Sequence, residues 1–274
     1  MDIGLGGMAM KNILKIMLMM ITIFTIAGSA VYAAEIPVSD QDQLITSNDW
    51  TEISNLQDEM KKEEPDATID YDKALKVYVD CNLIKLQTAD TKKLTSALES
   101  ANYVWVIPFK MEKTYGMFTV AKGLPLREEA KSVLTKAEQE EVKNHAGKWM
   151  ITEIAEHTVE PYYDILLEKR EALSDCTRVV LVGSQPGMRQ PVALGMDDET
   201  ARIWISLGYQ YPVMEKIPET QNVESGVYSF DSVAEISDTY IEDSEVSTGV
   251  GVQSRSSMKY VAGIGIVLIG GILI

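Results

Sequence analysis

Both ends of this chain are apolar and the region between them is acidic, a pattern that indicates an exported or membrane-bound protein. Lys11 and Lys15 precede an apolar run at residues 16–27, and small residues follow that run. A basic start, a short apolar region and small residues at the cleavage position are typical of a secretory signal peptide. We therefore predict that residues 1–33 form a signal peptide, cleaved after Ala33.

Two alternatives concern this first segment. Met10 opens a more typical basic region than Met1 does, so translation could begin at either methionine. The segment could also remain in the membrane as an uncleaved anchor. Its apolar run of about 12 residues is short for a membrane span, and the sequence therefore favours cleavage.

The C-terminal apolar segment is shorter than an ordinary membrane helix. Residues 258–274 contain the apolar run 261–274, and no Lys or Arg follows that run. A helix needs about 20 residues, each rising about 1.5 Å, to cross the hydrocarbon core. We expect a transmembrane helix that the sequence cuts short, with a tail that embeds without crossing as the alternative.

The charge of the chain restricts its partners. The chain has 41 Asp and Glu against 25 Lys and Arg, which gives a net charge of −16. Nucleic acids and anionic membrane surfaces repel a surface of this sign. We therefore expect no nucleic-acid partner, a membrane partner through the C-terminal helix alone, and an unidentified protein or small molecule as ligand.

Residues 48–212 are expected to form a single compact α+β domain. Helical spacing of apolar residues predicts helices at 50–62, 91–100 and 161–173, with two more beginning at Leu126 and Thr135. Period-two alternation predicts strands at 73–86, 103–109, 115–121, 148–155, 178–183, 191–195 and 201–207. Because helices and strand pairs are mixed and do not strictly alternate, we expect a largely antiparallel sheet with a C-terminal β-meander.

Two polar segments flank this predicted domain. Residues 34–47 show no periodicity and are expected to be a flexible lead. Residues 213–257 combine many acids with Ser, Thr and Gly, a composition typical of a disordered stalk. The aromatic residues of that stalk, Tyr228, Phe230 and Tyr240, are expected to be incidental, with contact points for a partner as the alternative.

The chain contains two cysteines, Cys81 and Cys176, and both lie in the predicted exported domain. Export permits a disulfide between them. Cys81 however continues an alternating apolar run, which is typical of a buried thiol in a strand. A Cys81–Cys176 disulfide and two separate buried thiols therefore both remain open, and no C-x-x-C spacing indicates redox or metal chemistry.

No motif in the sequence indicates catalysis, a cofactor or a metal. Glu153 and His157 have helical spacing for two metal ligands, but a zinc site needs three or four and the segment is predicted to be a strand. The other histidine is His145. Ser184 follows a predicted strand, but Val182 stands where a nucleophile elbow requires glycine, so we expect a turn there.

These features predict a membrane-anchored protein whose main domain is extracytoplasmic, at the cell surface. The lack of a convergent catalytic set and the long tether favour a binding or surface-presentation domain without enzymatic activity. The first alternative is the extracytoplasmic sensor domain of a signalling protein whose cytoplasmic part lies outside this sequence. The second alternative is a cell-envelope enzyme.

Overall fold

A computed structural model describes residues 36–157, 161–183, 185, 188, 191–207, 216–217 and 222–241. The predicted signal peptide 1–33, the predicted membrane segment 258–274 and parts of the predicted stalk lie outside these residues, as does Ser184. In the described part of the chain, no helix is long and apolar enough to cross a membrane.

Ten strands form one sheet within the described residues, and seven α-helices accompany it. The strands are β1 (Thr68–Ile69), β2 (Leu75–Val79), β3 (Asn102–Lys110), β4 (Tyr115–Lys122), β5 (Trp149–His157), β6 (Arg178–Val182), β7 (Val192–Met196), β8 (Ala201–Ser206), β9 (Asn222–Glu224) and β10 (Val227–Ser229). The helices are α1 (Trp50–Ser54), α2 (Gln57–Glu63), α3 (Thr91–Glu99), α4 (Glu128–Lys131), α5 (Lys136–His145), α6 (Tyr162–Glu168) and α7 (Phe230–Ile241).

The sheet is mixed and largely antiparallel. Its strands follow the order β5-β4-β3-β2-β6-β7-β8-β10-β9, and β1 pairs with the part of β3 that extends beyond β2. The central pair of β2 and β6 is parallel, whereas the other described pairs are antiparallel. The predicted α+β class and the meander of β6, β7 and β8 are therefore confirmed.

Local signals account for the start and end of one helix. Thr135 and Glu138 form a capping box at the start of the helix predicted from Thr135, since each side chain accepts a hydrogen bond from the backbone N–H of the other residue. Gly147 has a φ of +75°, which a glycine adopts without steric cost, and it follows the end of α5. The capping box and this glycine thus limit α5 at both ends.

Three predicted elements are shorter than expected. The strand predicted at 73–86 ends at Val79, because Asp80 has a φ of 57° and leaves the extended conformation. The helix predicted at 50–62 is divided into α1 and α2 by a turn at Asn55 and Leu56. The helix predicted at 161–173 is α6, which ends at Glu168 and continues as turns.

The N-terminal end of the fold differs from the expected flexible lead. Ile36, Val38 and Leu44 are buried, and short 3-10 turns form at 40–42 and 44–46. Residues 36–47 of the predicted lead are therefore a part of the folded domain. Its few apolar residues are too widely spaced to give a helix or strand pattern, which is why periodicity did not indicate their burial.

The fold also extends past residue 212, where the sequence analysis placed the start of a disordered stalk. β10 pairs with β8, and α7 follows it at once. Tyr228 and Phe230 are buried, and the Phe230 ring stacks on Trp204 with centroids 5.7 Å apart. Asp231 and Glu235 are exposed, so these two acids of the predicted stalk lie on the outer face of a helix.

Two faces of the sheet carry the core. On the back face, α6 covers a cluster that includes Val77 and Leu181. On the front face, one cluster packs against α1 and α2 around Trp105, and a second packs against α3 and α7 around Trp204. The sheet therefore separates two buried layers.

Candidate site where the N-terminal segment crosses the sheet

Residues 36–44, which we call the crossing segment, pass from the back face of the sheet to the front face. Ile36 and Val38 belong to the back-face cluster, whereas Leu44 belongs to the front-face cluster around Trp105. The passage lies between β2 and β6, because Val38 forms a bridge with Val179 of β6 and Gln43 forms one with Leu75 of β2.

The crossing segment satisfies backbone groups at the point where β2 and β6 separate. These strands pair directly at only two positions, Val77 with Leu181 and Tyr78 with Val182. Before these positions in β6, the N–H of Val179 donates to the carbonyl of Pro37 at 2.7 Å. Next to β2, the N–H of Leu44 donates to the carbonyl of Ala74 at 3.3 Å. Buried backbone groups need such partners, so the crossing segment completes the sheet.

Asp42 brings a carboxylate into this passage, and only 2% of its side chain is exposed. Its Oδ1 accepts a hydrogen bond from the Tyr78 hydroxyl at 2.7 Å. Its Oδ2 accepts hydrogen bonds from the Ser39 hydroxyl at 2.6 Å and from Arg178 Nη2 at 3.0 Å. Burial and the neighbouring carboxylate raise the pKa of Tyr78, which keeps its phenol protonated as a donor.

Lys76 is the second cation beside Asp42, and its side chain is 11% exposed. The ammonium nitrogen lies 3.7 Å from Asp42 Oδ1, which is longer than a hydrogen bond. No hydrogen bond within 3.5 Å joins this nitrogen to another residue in the described part of the chain. Burial lowers the pKa of Lys76, while the carboxylates of Asp42 and Asp49 oppose that shift.

Aromatic rings surround the ammonium of Lys76. The nitrogen lies 4.6 Å from the ring centroid of Tyr103, 5.3 Å from that of Trp105 and 5.8 Å from that of Tyr78. We call these three rings the aromatic shelf. A cation at these distances is attracted by the π-electron face of a ring, so the shelf replaces part of the water that Lys76 loses.

Asp49 orients two rings of the shelf. Its Oδ2 accepts hydrogen bonds from the Tyr103 hydroxyl at 2.8 Å and from Trp105 Nε1 at 3.0 Å. Burial raises the pKa of Tyr103, so this hydroxyl also stays protonated. Asp49 lies just ahead of α1, which means that the same N-terminal region supplies both carboxylates of the site.

The donors of this arrangement are chemically suited to an anion, and in the structure they hold the Asp42 carboxylate. Lys76 and Arg178 supply two positive charges, and Tyr78 supplies a phenolic donor, all on the front face of the sheet. The Arg178 side chain is 17% exposed, and its Nε is buried without a hydrogen-bond partner. Charge-assisted hydrogen bonds of this kind are among the stronger ones in proteins.

The two cysteines do not belong to this site and are not bonded to each other. Both are free and buried, Cys81 in the front-face cluster around Trp204 and Cys176 in the back-face cluster. The sheet therefore lies between them. Burial raises the pKa of each thiol to about 11, so both are protonated and poorly nucleophilic near neutral pH. The structure thus shows the two buried thiols that the sequence left open.

Glu153 and His157 lie on β5, so the helical spacing considered for a metal does not apply to them. The Glu153 carboxyl is 9% exposed and accepts one long hydrogen bond, from Thr119 Oγ1 at 3.4 Å. Burial raises its pKa to about 7. Among the described residues, no group of three His, Cys, Asp or Glu side chains is placed to hold a metal ion.

Sequence reasoning missed Asp42, Lys76 and Arg178. Asp42 was assigned to a flexible lead, and the two cations stood among many surface charges. One signal was present, because Lys76 and Tyr78 are two residues apart and so share one face of a predicted strand. Its importance depends on Arg178, which is about 100 residues away in sequence.

Comparisons with known proteins give no further guide to this site. No family model matches the chain, and no match to a curated protein or to a solved structure is found. Any functional conclusion therefore rests on the geometry described above.

Proposed function

We propose that this protein is a membrane-anchored extracytoplasmic binding domain whose ligand contacts Lys76. The observation that carries the proposal is the ammonium of Lys76, which is nearly buried and makes no hydrogen bond within 3.5 Å to a described residue. The ammonium has an ion-pair contact with Asp42 at 3.7 Å, but its hydrogen-bonding capacity is not met by the described residues. Leaving the hydrogen bonds of a largely buried charged donor unmade costs free energy. A ligand oxygen would supply the partner.

Export and anchoring belong to the same proposal. The sequence pattern of residues 1–33 supports delivery across a membrane, and the apolar segment 258–274 supports retention there. The ligand is a small molecule or a segment of another protein. In a surface-presentation role, the described residues between 36 and 241 would be the part that is displayed.

A thermal-shift screen of the full chain in detergent tests the ligand site. The probes are sodium salts of acetate, succinate, phosphate and sulfate, each compared with chloride at equal ionic strength. We expect at least one anion to raise the melting temperature of the wild type and to lose this effect in Lys76→Met. A ligand that binds only the native state stabilises it by mass action.

Lys122→Met is the matched control for that screen. Lys122 also lies over an aromatic ring, 5.2 Å from the centroid of Trp149, but its side chain is exposed at the end of β4. This variant should keep the response of the wild type. Identical responses of Lys76→Met and the wild type to every anion would show that the ligand does not contact Lys76.

An extracytoplasmic sensor domain is the second candidate, and one observation favours it. The crossing segment starts at Ile36, directly after the predicted N-terminal apolar region, and is bonded into the centre of the sheet. If that apolar region is an uncleaved anchor, a displacement at residue 36 is transmitted to β2 and β6 through the hydrogen bonds of the crossing segment. A cell-envelope enzyme is the third candidate, and no arrangement of the described residues favours it.

The terminal sequence of the mature protein separates the first two candidates. A mature chain that begins at Ala34 supports a cleaved and C-terminally anchored binding domain. A chain that retains residues 10–33 and stays in the membrane fraction supports the sensor domain, because the crossing segment is then joined to an anchor.

A further inference from the structure

The donors around Asp42 form a carboxylate-binding site, and we propose that a free carboxylate ligand exchanges with the Asp42 side chain in that site. The inference rests on the proposed function, because it names the ligand class of the Lys76 site. It adds that the ligand and the Asp42 side chain compete for the same donors.

The donors and the acceptor of this cluster belong to different parts of the fold. Lys76 and Tyr78 lie on β2, and Arg178 begins β6. β2 is paired along its length with β3, and β6 with β7, so these donors are fixed by the sheet. Asp42 lies instead in a 3-10 turn between the isolated bridges of Val38 and Gln43. The Asp42 side chain can therefore leave the donors while they keep their positions.

The coordination of Asp42 shows that the donors fit a carboxylate. One oxygen accepts from Tyr78 and faces Lys76, and the other accepts from Arg178 of the sheet and from Ser39 of the crossing segment itself. The chain holds the first oxygen 3.7 Å from the Lys76 nitrogen. A carboxylate that is free of the chain can approach Lys76 to the normal hydrogen-bond distance of about 2.8 Å.

The charge of the site favours a monoanion. Asp49 is bonded to Tyr103 and Trp105, which are part of the sheet, and its carboxylate contributes to the electrostatics of Lys76. Without Asp42, two positive charges and one negative charge remain, and the site has a net charge of +1. One carboxylate neutralises it, whereas a dianion leaves a negative charge in a buried place.

Exchange has a consequence for the crossing segment. Once Asp42 is displaced, two isolated bridges and the apolar contacts of Ile36, Val38 and Leu44 remain to hold it. An internal carboxylate competes with an effective concentration on the order of millimolar or above. A weak external carboxylate is therefore expected to bind the wild type at tens of millimolar, and an Asp42 variant at lower concentration.

Chemical rescue of Asp42→Ala by sodium formate tests the inference. Formate has the size of the carboxylate that this substitution removes. In the full chain, we expect formate to raise the melting temperature of Asp42→Ala by about 3 °C more than sodium chloride does at equal ionic strength. The wild type should respond less than the variant, because its own carboxylate occupies the donors.

Asp164→Ala is the matched control. Asp164 also pairs with a lysine, at 2.7 Å from Lys73, but on the surface of the domain. Its formate response should equal that of the wild type. Equal formate responses of Asp42→Ala, Asp164→Ala and the wild type would overturn the inference, since the donors would then show no preference for a carboxylate.

Hydrogen exchange on the wild type keeps the inference testable if Asp42→Ala does not fold. We expect formate, and not chloride, to accelerate exchange of the Leu44 and Val179 amides, which bond the crossing segment to the sheet. Unchanged exchange at both amides under saturating formate would overturn it. The proposed function would still hold in that case if Lys76→Met abolishes the thermal response to another anion. If Lys76→Met changes the response to no anion, the inference and the proposed function are both wrong.

Discussion

Leu75 and Val179 are separated by the crossing segment, although the pairing of their strands would place them side by side. The parallel register of β2 and β6 pairs Val77 with Leu181, so two residues earlier it would bring Leu75 opposite Val179. Leu75 forms a bridge with Gln43 instead, and Val179 forms one with Val38. The N-terminal segment is thus built into the centre of the sheet, where Asp42 meets the two cations.

Replacing Asp42 with asparagine should destabilise the domain strongly. The substitution removes the carboxylate that forms ion pairs with Lys76 and Arg178, and breaking a buried ion pair from one side costs about 3–5 kcal/mol. Urea unfolding followed by tryptophan fluorescence measures the loss. Asp164→Asn should cost less than about 1 kcal/mol, because its pair with Lys73 is more exposed. Equal losses in the two variants would contradict the role given to Asp42.

The strands of the sheet could be predicted from sequence because their apolar residues alternate locally. All seven predicted strands are present, since each has enough alternating residues to show which face is buried. α7 was missed because Asp231 and Glu235 were counted with the other acids of the wider polar segment 213–257. A window that scored Phe230 and Val233 as one helical face would have indicated it.

The candidate site could not be predicted because its bonds join distant parts of the chain. Asp42 bonds to Tyr78 across 36 positions and to Arg178 across 136 positions. A single sequence contains no signal for such pairs when the segment that carries Asp42 shows neither helical nor strand periodicity of its apolar residues. The burial of Asp42 follows from the separation of β2 and β6, which is a property of the assembled sheet.

Replacing Phe230 with alanine tests whether the fold includes residues beyond 212. The ring is buried against Trp204, and removing a buried phenylalanine side chain costs about 3–5 kcal/mol. Urea unfolding of the full chain measures the change, with the exposed Asp231→Asn as the neighbouring control. A loss below about 0.5 kcal/mol in Phe230→Ala would mean that this segment does not pack against the sheet in solution.

The two thiols should be unreactive in the native protein. Cys81 and Cys176 are buried with raised pKa values, and the thiolate is the reactive form. We expect slow modification by a thiol reagent under native conditions and rapid modification of two thiols in urea. The mass of the non-reduced chain should equal that of the reduced chain. If the non-reduced chain is instead lighter than the reduced chain by the mass of two hydrogens, the two cysteines form a disulfide.

Stability should fall as pH rises through neutrality because of Glu153. This carboxyl points inward from the edge strand β5, beside a bulge, and burial raises its pKa to about 7 from the ordinary value of 4.5. The folded state therefore binds its proton more tightly than the unfolded state does. The stabilisation is fully present below about pH 4.5 and is lost as pH rises to about 7, a change on the order of 3 kcal/mol.

Glu153→Gln should remove this pH dependence, since the amide stays neutral at every pH while keeping the size of the side chain. The measurement is the free energy of urea unfolding between pH 4.5 and 8 for the wild type and the variant. Glu138→Gln is the control, because Glu138 is exposed and the hydrogen bond from the Thr135 backbone lowers its pKa. That lowered pKa affects stability only as pH falls below about 4.5, so Glu138→Gln should keep the slope of the wild type near neutrality. If Glu153→Gln also keeps that slope, the Glu153 carboxyl is ionised in the folded state at neutral pH, and water reaches it at the edge of the sheet.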